Sequence, residues 1–253
     1  FLLSPLLIGL FASKVFSINS LLLIVAAMSA FLIRQPVTIA IKAYSGRRSR
    51  RDLPAARFWI VIYGIIAASS LIVLILRGFS YLLILALPGI TVFLWHLYLV
   101  SKRAERRQIG IEIVATGVLA LAAPAAYWIG VESADPMGWW LFLLTWLQSA
   151  ASIVYAYLRL DQRVLPEMPS VKERFSMGRR SLLYTSFNLI FVGIMAIIHV
   201  LPIGLPIPFA LQWGETLYGT LNPAIGFKPT KIGFRQLFIS SLFTVLFIIF
   251  WNI

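Results

Sequence analysis

Nine apolar runs, separated by connections too short to hold a soluble domain, constrain this chain more than any other feature. They cover residues 1–12, 18–43, 58–76, 80–100, 109–129, 139–158, 181–200, 205–227 and 237–253. A helix that crosses a bilayer needs about 20 mostly apolar residues, and most of these runs meet that length. The first is shorter and opens directly on Phe1, so it reads as the remainder of a longer helix whose true N-terminus lies earlier. The eighth is bracketed by Pro202, Pro206, Pro208 and Pro223, which leaves a full crossing and a re-entrant segment both open. Apolar residues make up 60% of the chain, charged residues only 12%, and the mean hydropathy is +0.90. A soluble fold carries about twice that charge. The expected fold is an all-α, polytopic membrane helix bundle of about nine transmembrane helices, with residues 1–253 as one domain. Eight spans before the last are compatible with two four-helix halves.

The net charge of +13 would suggest nucleic acid in a soluble chain. Here the cations sit between spans, where they report topology instead, and no nucleic-acid partner is expected. Arg47, Arg48, Arg50, Arg51 and Arg57 lie between runs 2 and 3. Lys102, Arg103, Arg106 and Arg107 follow run 4. Arg159, Arg163, Lys172, Arg174, Arg179 and Arg180 surround the connection between runs 6 and 7, and Lys228, Lys231 and Arg235 precede run 9. The alternate loops carry only Lys14 and Arg77, and the one before run 6 is acidic, with Glu132 and Asp135. The positive-inside rule then places the N-terminus in the cytoplasm and the C-terminus outside. No signal peptide is expected around the first run. The absence of Cys removes disulfide and thiolate chemistry.

Polar groups inside spans are costly and point to function. Arg34 lies in run 2, with Pro36 two residues on to kink the helix, and Arg34, Thr38 and Lys42 share one helical face. Arg34 either snorkels to the cytoplasmic surface or turns inward. In run 6, Gln148, Ser152, Tyr155 and Arg159 recur on one face and lead to Asp161 and Arg163. If the two stripes face each other, they form a cytoplasmic-side pocket with a positive field, suited to a phosphate or carboxylate head. Its expected residues are Arg34, Thr38, Lys42, Gln148, Ser152, Tyr155, Arg159 and Arg163. Glu215, with Gln212, Gly219 and Asn222 at helical spacing, is an intramembrane carboxylate: a proton or cation site, a group paired with a backbone donor, or one held neutral by desolvation. Glu112 complements a helix N-terminus. His96 and His199 read as packed, hydrogen-bonded side chains rather than metal ligands, and Trp139 and Trp140 as interface anchors. No P-loop, HExxH, GxSxG or metal-ligand cluster appears, so no metal and no cofactor is expected.

The stretches SPLLIGL, FLIRQPVTIAI, RFWIVIYGIIA, GIEIVATGVLALAAPAAYWIG, YAYLRLDQR and KPTKIGFRQL resemble the YwiC-like family, small bacterial membrane proteins of this length. The resemblance implies a multi-pass protein of the bacterial inner membrane, with a His-Gly-Ala-Trp-like segment ahead of the first helix. The architecture, together with the ending KPTKIGFRQLFISSLF, also resembles the UbiA-type polyprenyl transferases. In these, Asp-rich motifs at the cytoplasmic ends of helices 2 and 6 hold Mg²⁺ on an isoprenyl diphosphate. This chain departs from that pattern. Asp52 is the lone carboxylate in IRQPVTIAIKAYSGRRSRRD, and Asp161, Glu167 and Glu173 in RLDQRVLPEMPSVKERF are wrongly spaced among Arg and Lys. Mg²⁺ needs several oxygen ligands, so neither the metal site nor the transferase activity carries over.

The favoured reading is a non-catalytic or auxiliary membrane protein. It would be a subunit or assembly factor of a membrane complex, binding a lipid or isoprenoid with an anionic head. One alternative is a UbiA-like enzyme that uses Arg34, Lys42, Arg159 and Arg163 in place of metal. The other is a small-anion or proton-coupled transporter built around Glu215.

Overall fold

Proline placement decides where two of the apolar runs break. A proline ring clashes with the carbonyl four residues earlier and removes one helix hydrogen bond. Pro36 sets that point at Leu32, and Pro124 sets it at Ala120. In the computed structural model, which describes residues 2–102 and 109–253, helices end at those two residues. Run 2 becomes α2 (Ile18–Leu32) and α3 (Arg34–Tyr44), and run 5 becomes α6 (Ile109–Ala120) and α7 (Ala122–Val131). The remaining helices are α1 (Leu3–Ser13), α4 (Leu53–Leu76), α5 (Leu82–Ser101), α8 (Met137–Gln162), α9 (Val171–Ile197), α10 (Pro206–Leu221) and α11 (Pro229–Asn252). A short 3-10 turn, Arg50–Asp52, leads into α4. Among the described residues there is no strand. Arg103, Arg106 and Arg107 lie outside the described residues.

Among the described residues, seven segments are long and apolar enough to cross a membrane: Ile18–Tyr44, Arg50–Leu76, Leu82–Ser101, Ile109–Val131, Met137–Gln162, Val171–Ile197 and Pro229–Asn252. The other two expected runs hold shorter helices. α1 has 11 residues and α10 has 16, the latter about 24 Å at 1.5 Å per residue against a hydrocarbon core of about 30 Å. α9 begins ten residues before its apolar run. The reason is a capping box: the Ser170 amide donates to Glu173 Oε2 at 2.8 Å, and the Glu173 amide donates to Ser170 Oγ at 3.4 Å. That Ser-x-x-Glu signal starts a helix whose first turns are charged, and hydropathy alone passes over it.

The chain forms two compact units, Phe1–Phe142 and Leu143–Ile253. In the first, α1 packs on α7, while α2 and α3 pack along α4. Leu6, Leu10, Leu74, Leu82, Trp128 and Ile129 are fully buried there. Trp128 is tied at both polar ends: its indole N–H donates to the Asp135 carbonyl at 2.7 Å, and its own carbonyl accepts from the Tyr81 hydroxyl at 3.1 Å. Trp139, half exposed at an expected interface position, meets the Trp128 ring edge-on at 5.4 Å. Glu112 lies in the first turn of α6, where a carboxylate complements the helix dipole.

The α1–α7 contact depends on a missing side chain. A Cβ on Gly9 would meet the Ala123 carbonyl and would lie 2.9 Å from Ala126 Cβ. Gly9→Ala is therefore expected to destabilise by about 1–3 kcal/mol through overpacking. Thermal unfolding in detergent checks this against Gly193→Ala, whose Cβ would meet open space and which is expected to stabilise slightly.

Candidate functional site

The stripe read on run 6 is buried. Gln148, Ser152, Tyr155 and Arg159 are all interior residues of α8 in the second unit. α8 continues to Gln162, past the expected end of the run, so Arg159 and Gln162 stay in helical register with the rest. The stripe faces α10. Gln212 Nε2 donates to the Gln148 carbonyl at 2.9 Å and to Ser152 Oγ at 3.0 Å, and Gln148 Nε2 donates to Ser152 Oγ at 3.1 Å. One turn further along, the Tyr155 hydroxyl donates to Glu215 Oε1 at 2.8 Å. The two features that looked separate in the sequence, the α8 stripe and the intramembrane carboxylate, are one cluster.

Glu215 is held from a second side by α11. Arg235 Nε donates to Glu215 Oε1 at 2.7 Å and Arg235 Nη2 to Oε2 at 2.8 Å. This is the bidentate fork that matches guanidinium to carboxylate. The guanidinium carbon also lies 4.4 Å from the centre of the Tyr218 ring, a favourable stacking distance. The partners of Glu215 are thus two side chains, one from α8 and one from α11.

Arg159 closes the end of α10. Its Nη1 donates to the carbonyls of Gly219 and Asn222, both at 2.7 Å, and to Gln162 Oε1 at 2.9 Å. Gln162 Nε2 adds a second bond to the Gly219 carbonyl at 3.1 Å, and Arg174 of α9 donates to the Leu221 carbonyl at 3.0 Å. The last carbonyls of a helix have no partner within it, and cations are favoured there by the helix dipole. At the C-terminus of α10, α8 and α9 supply such donors. Gly219 allows the approach, since a Cβ there would run into the Tyr155 ring.

These contacts also order the second unit. The end of α8, the start of α9, the end of α10 and the start of α11 all meet at the basic end. At the opposite end Gly204, just before α10, lies against Phe250 near the end of α11. α10 thus runs antiparallel to α11 and returns the chain to the basic end.

Beside the Glu215 cluster is a pocket of about 220 Å³ lined by Tyr155, Arg159, Glu215, Lys231, Arg235 and Phe227, with Ile232 and Gln236 completing it. Gln236 Nε2 donates to the Ser152 carbonyl at 2.6 Å. Three cations line the pocket against one carboxylate, and that carboxylate is already engaged. A wider, open recess follows along Lys228, Thr230, Lys231 and Phe234. In the sequence, Lys231 and Arg235 stand out only as cations preceding run 9. Their signal was positional: Lys231 and Arg235 are four apart on one face of α11, one turn inside its start.

Arg34, Thr38 and Lys42 belong to the first unit. Arg34 is exposed, Thr38 Oγ1 donates back to the Arg34 carbonyl at 2.8 Å, and Lys42 is half-buried. Arg163 is half-buried in the second unit, its carbonyl accepting from the Gly226 amide at 3.1 Å. His199 differs from the packed side chain expected of it. It is exposed with φ 59° in the turn after α9, because the helix ends two residues before it. His96 is half-buried on α5. Among the described residues, no group of three or more His, Cys, Asp or Glu side chains is placed to hold a metal ion.

No curated protein and no solved structure matches the chain, and the architectural likeness to the UbiA-type transferases is not borne out by any comparison. A family model does match: YwiC-like protein, over residues 1–127, half of the chain. The YAYLRLDQR and KPTKIGFRQL stretches lie beyond the matched residues. By that match, this multi-pass helical membrane protein belongs to the YwiC-like family.

Proposed function

We propose that the protein is a non-catalytic, auxiliary component of a bacterial inner membrane. In this reading it binds an amphiphile with an anionic head in the pocket between α8, α10 and α11. The observation that carries this reading is the charge balance of the pocket. Arg159, Lys231 and Arg235 line it together, while Glu215, the single carboxylate, is occupied by Tyr155 and Arg235. A phosphate or carboxylate head is attracted by that field, and Phe227 and Ile232 offer an apolar wall to a tail. Basic loops on the same side as the pocket favour the cytoplasmic leaflet, with the N-terminus inside.

The purified full chain is expected to bind phosphatidylglycerol or farnesyl diphosphate more tightly than phosphatidylcholine, measured by native mass spectrometry from detergent. Lys231 is exposed, its Nζ 4.3 Å from the centre of the Phe227 ring, so Lys231→Gln tests the field without breaking the Glu215 cluster. It is expected to weaken the anion about five- to tenfold, the worth of one charge-assisted contact. Equal binding of anionic and neutral lipids, or no change in Lys231→Gln, overturns the reading. Formation of a prenylated product would replace it with an enzyme.

A further inference from the structure

The first unit holds a second groove, whose lining carries one arginine and one aspartate. It has a volume of about 380 Å³ and lies where α3, the Arg50–Asp52 turn and α4 meet. Arg48 and Asp52 stand at one end, joined by an ion pair at 2.6 Å. Gln35 lies along the wall, and Leu32, Trp59 and Tyr63 form the other end. Trp59 and Tyr63 are stacked, with ring centres 5.2 Å apart and planes at 21°.

The polarity of this groove is graded along α4. From Asp52 to Tyr63 is about 16 Å of helix, passing from an ion pair to aromatic and aliphatic side chains. That sequence of chemistry follows a phospholipid from its head through its glycerol to its acyl chains. Trp59 and Leu32 are 45% and 41% exposed, so the apolar end is open at the protein surface. Tryptophan at such a level is an interface residue.

We infer that this groove binds a phospholipid whose head carries both a phosphate and a primary ammonium, with phosphate on Arg48 and ammonium on Asp52. The charge balance selects this class. A purely anionic head would gain Arg48 and be repelled by Asp52, whereas a head with both charges satisfies each. The existing ion pair is half exposed on both sides, and pairs of that kind have little net worth, so opening it for two ligand contacts is feasible. The α8–α10–α11 pocket, with an excess of cations, has the opposite preference, and the inference stands independently of that site.

The test is photocrosslinking with phosphatidylethanolamine that carries a diazirine on its acyl chain, applied to the full chain in nanodiscs and mapped by peptide. Label is expected between residues 32 and 63. Unlabelled phosphatidylethanolamine should displace it at least fivefold more effectively than phosphatidylglycerol. Asp52→Asn should abolish that preference, Arg48→Gln should weaken labelling by both lipids, and Arg50→Gln, which does not line the groove, should leave it unchanged. Equal displacement by the two lipids, a preference that survives Asp52→Asn, or no displaceable label between residues 32 and 63 overturns the inference.

Discussion

Arg159→Met is expected to destabilise the second unit by about 3–5 kcal/mol, the loss of charge-assisted hydrogen bonds worth about 1.5–3 kcal/mol each. Arg159 is 3% exposed, and its Nη1 serves three acceptors, two of them carbonyls at the end of α10. Methionine restores most of the apolar volume but none of the donors. The Gly219 carbonyl keeps Gln162, whereas the part-buried Asn222 carbonyl loses its Arg159 bond. A loss of that size lowers the thermal midpoint by roughly 6–20 °C at about 2–4 °C per kcal/mol for a domain of this class. Arg159→Lys should recover little, because an ammonium presents its donors from a single point and lacks the planar fork. Scanning calorimetry in detergent checks both variants. A shift under 2 °C in Arg159→Met would falsify the assignment of this arginine as the cap of α10.

The second large effect concerns the Glu215–Arg235 pair and is best read as a cycle. Arg235→Met alone leaves the Glu215 carboxylate buried beside the Tyr155 hydroxyl without its cation, and about 3 kcal/mol is expected to be lost. That is the low end of the range for buried pairs, because Arg235 is 41% exposed and water reaches its side of the pair. Glu215→Gln keeps the side-chain volume and still accepts from Tyr155, so it should cost less. The double variant should lie within about 1 kcal/mol of Glu215→Gln alone, because the stranded charge is gone. A coupling free energy of at least 1 kcal/mol is the expected signature. Strictly additive losses would show that the two side chains do not depend on each other.

Much of the helix content follows from local chemistry. Apolar length sets the membrane spans, prolines at 36 and 124 end α2 and α6 four residues upstream, and Ser170 with Glu173 starts α9. Each of those signals acts within one or two helical turns, so reading neighbouring residues suffices. The polar face of α8 is legible for the same reason: Gln148, Ser152, Tyr155 and Arg159 align because the helix repeats every 3.6 residues.

What those side chains meet is a different matter. Tyr155 and Glu215 are 60 residues apart, and Glu215 and Arg235 are 20 apart. Periodicity marks a face but carries no information about which other helix covers it. The sequence therefore determined that this is a multi-pass helical membrane protein with buried polar groups on α8 and α10. Only the tertiary structure decided that α10 turns its carboxylate to Tyr155, that α11 brings Arg235 to it, and that Arg159 is committed to the end of α10. Those outcomes rest on satisfaction of charges and carbonyls in an environment without water to do it. Such satisfaction is a property of the assembled unit, since Tyr155, Glu215 and Arg235 come from three different helices.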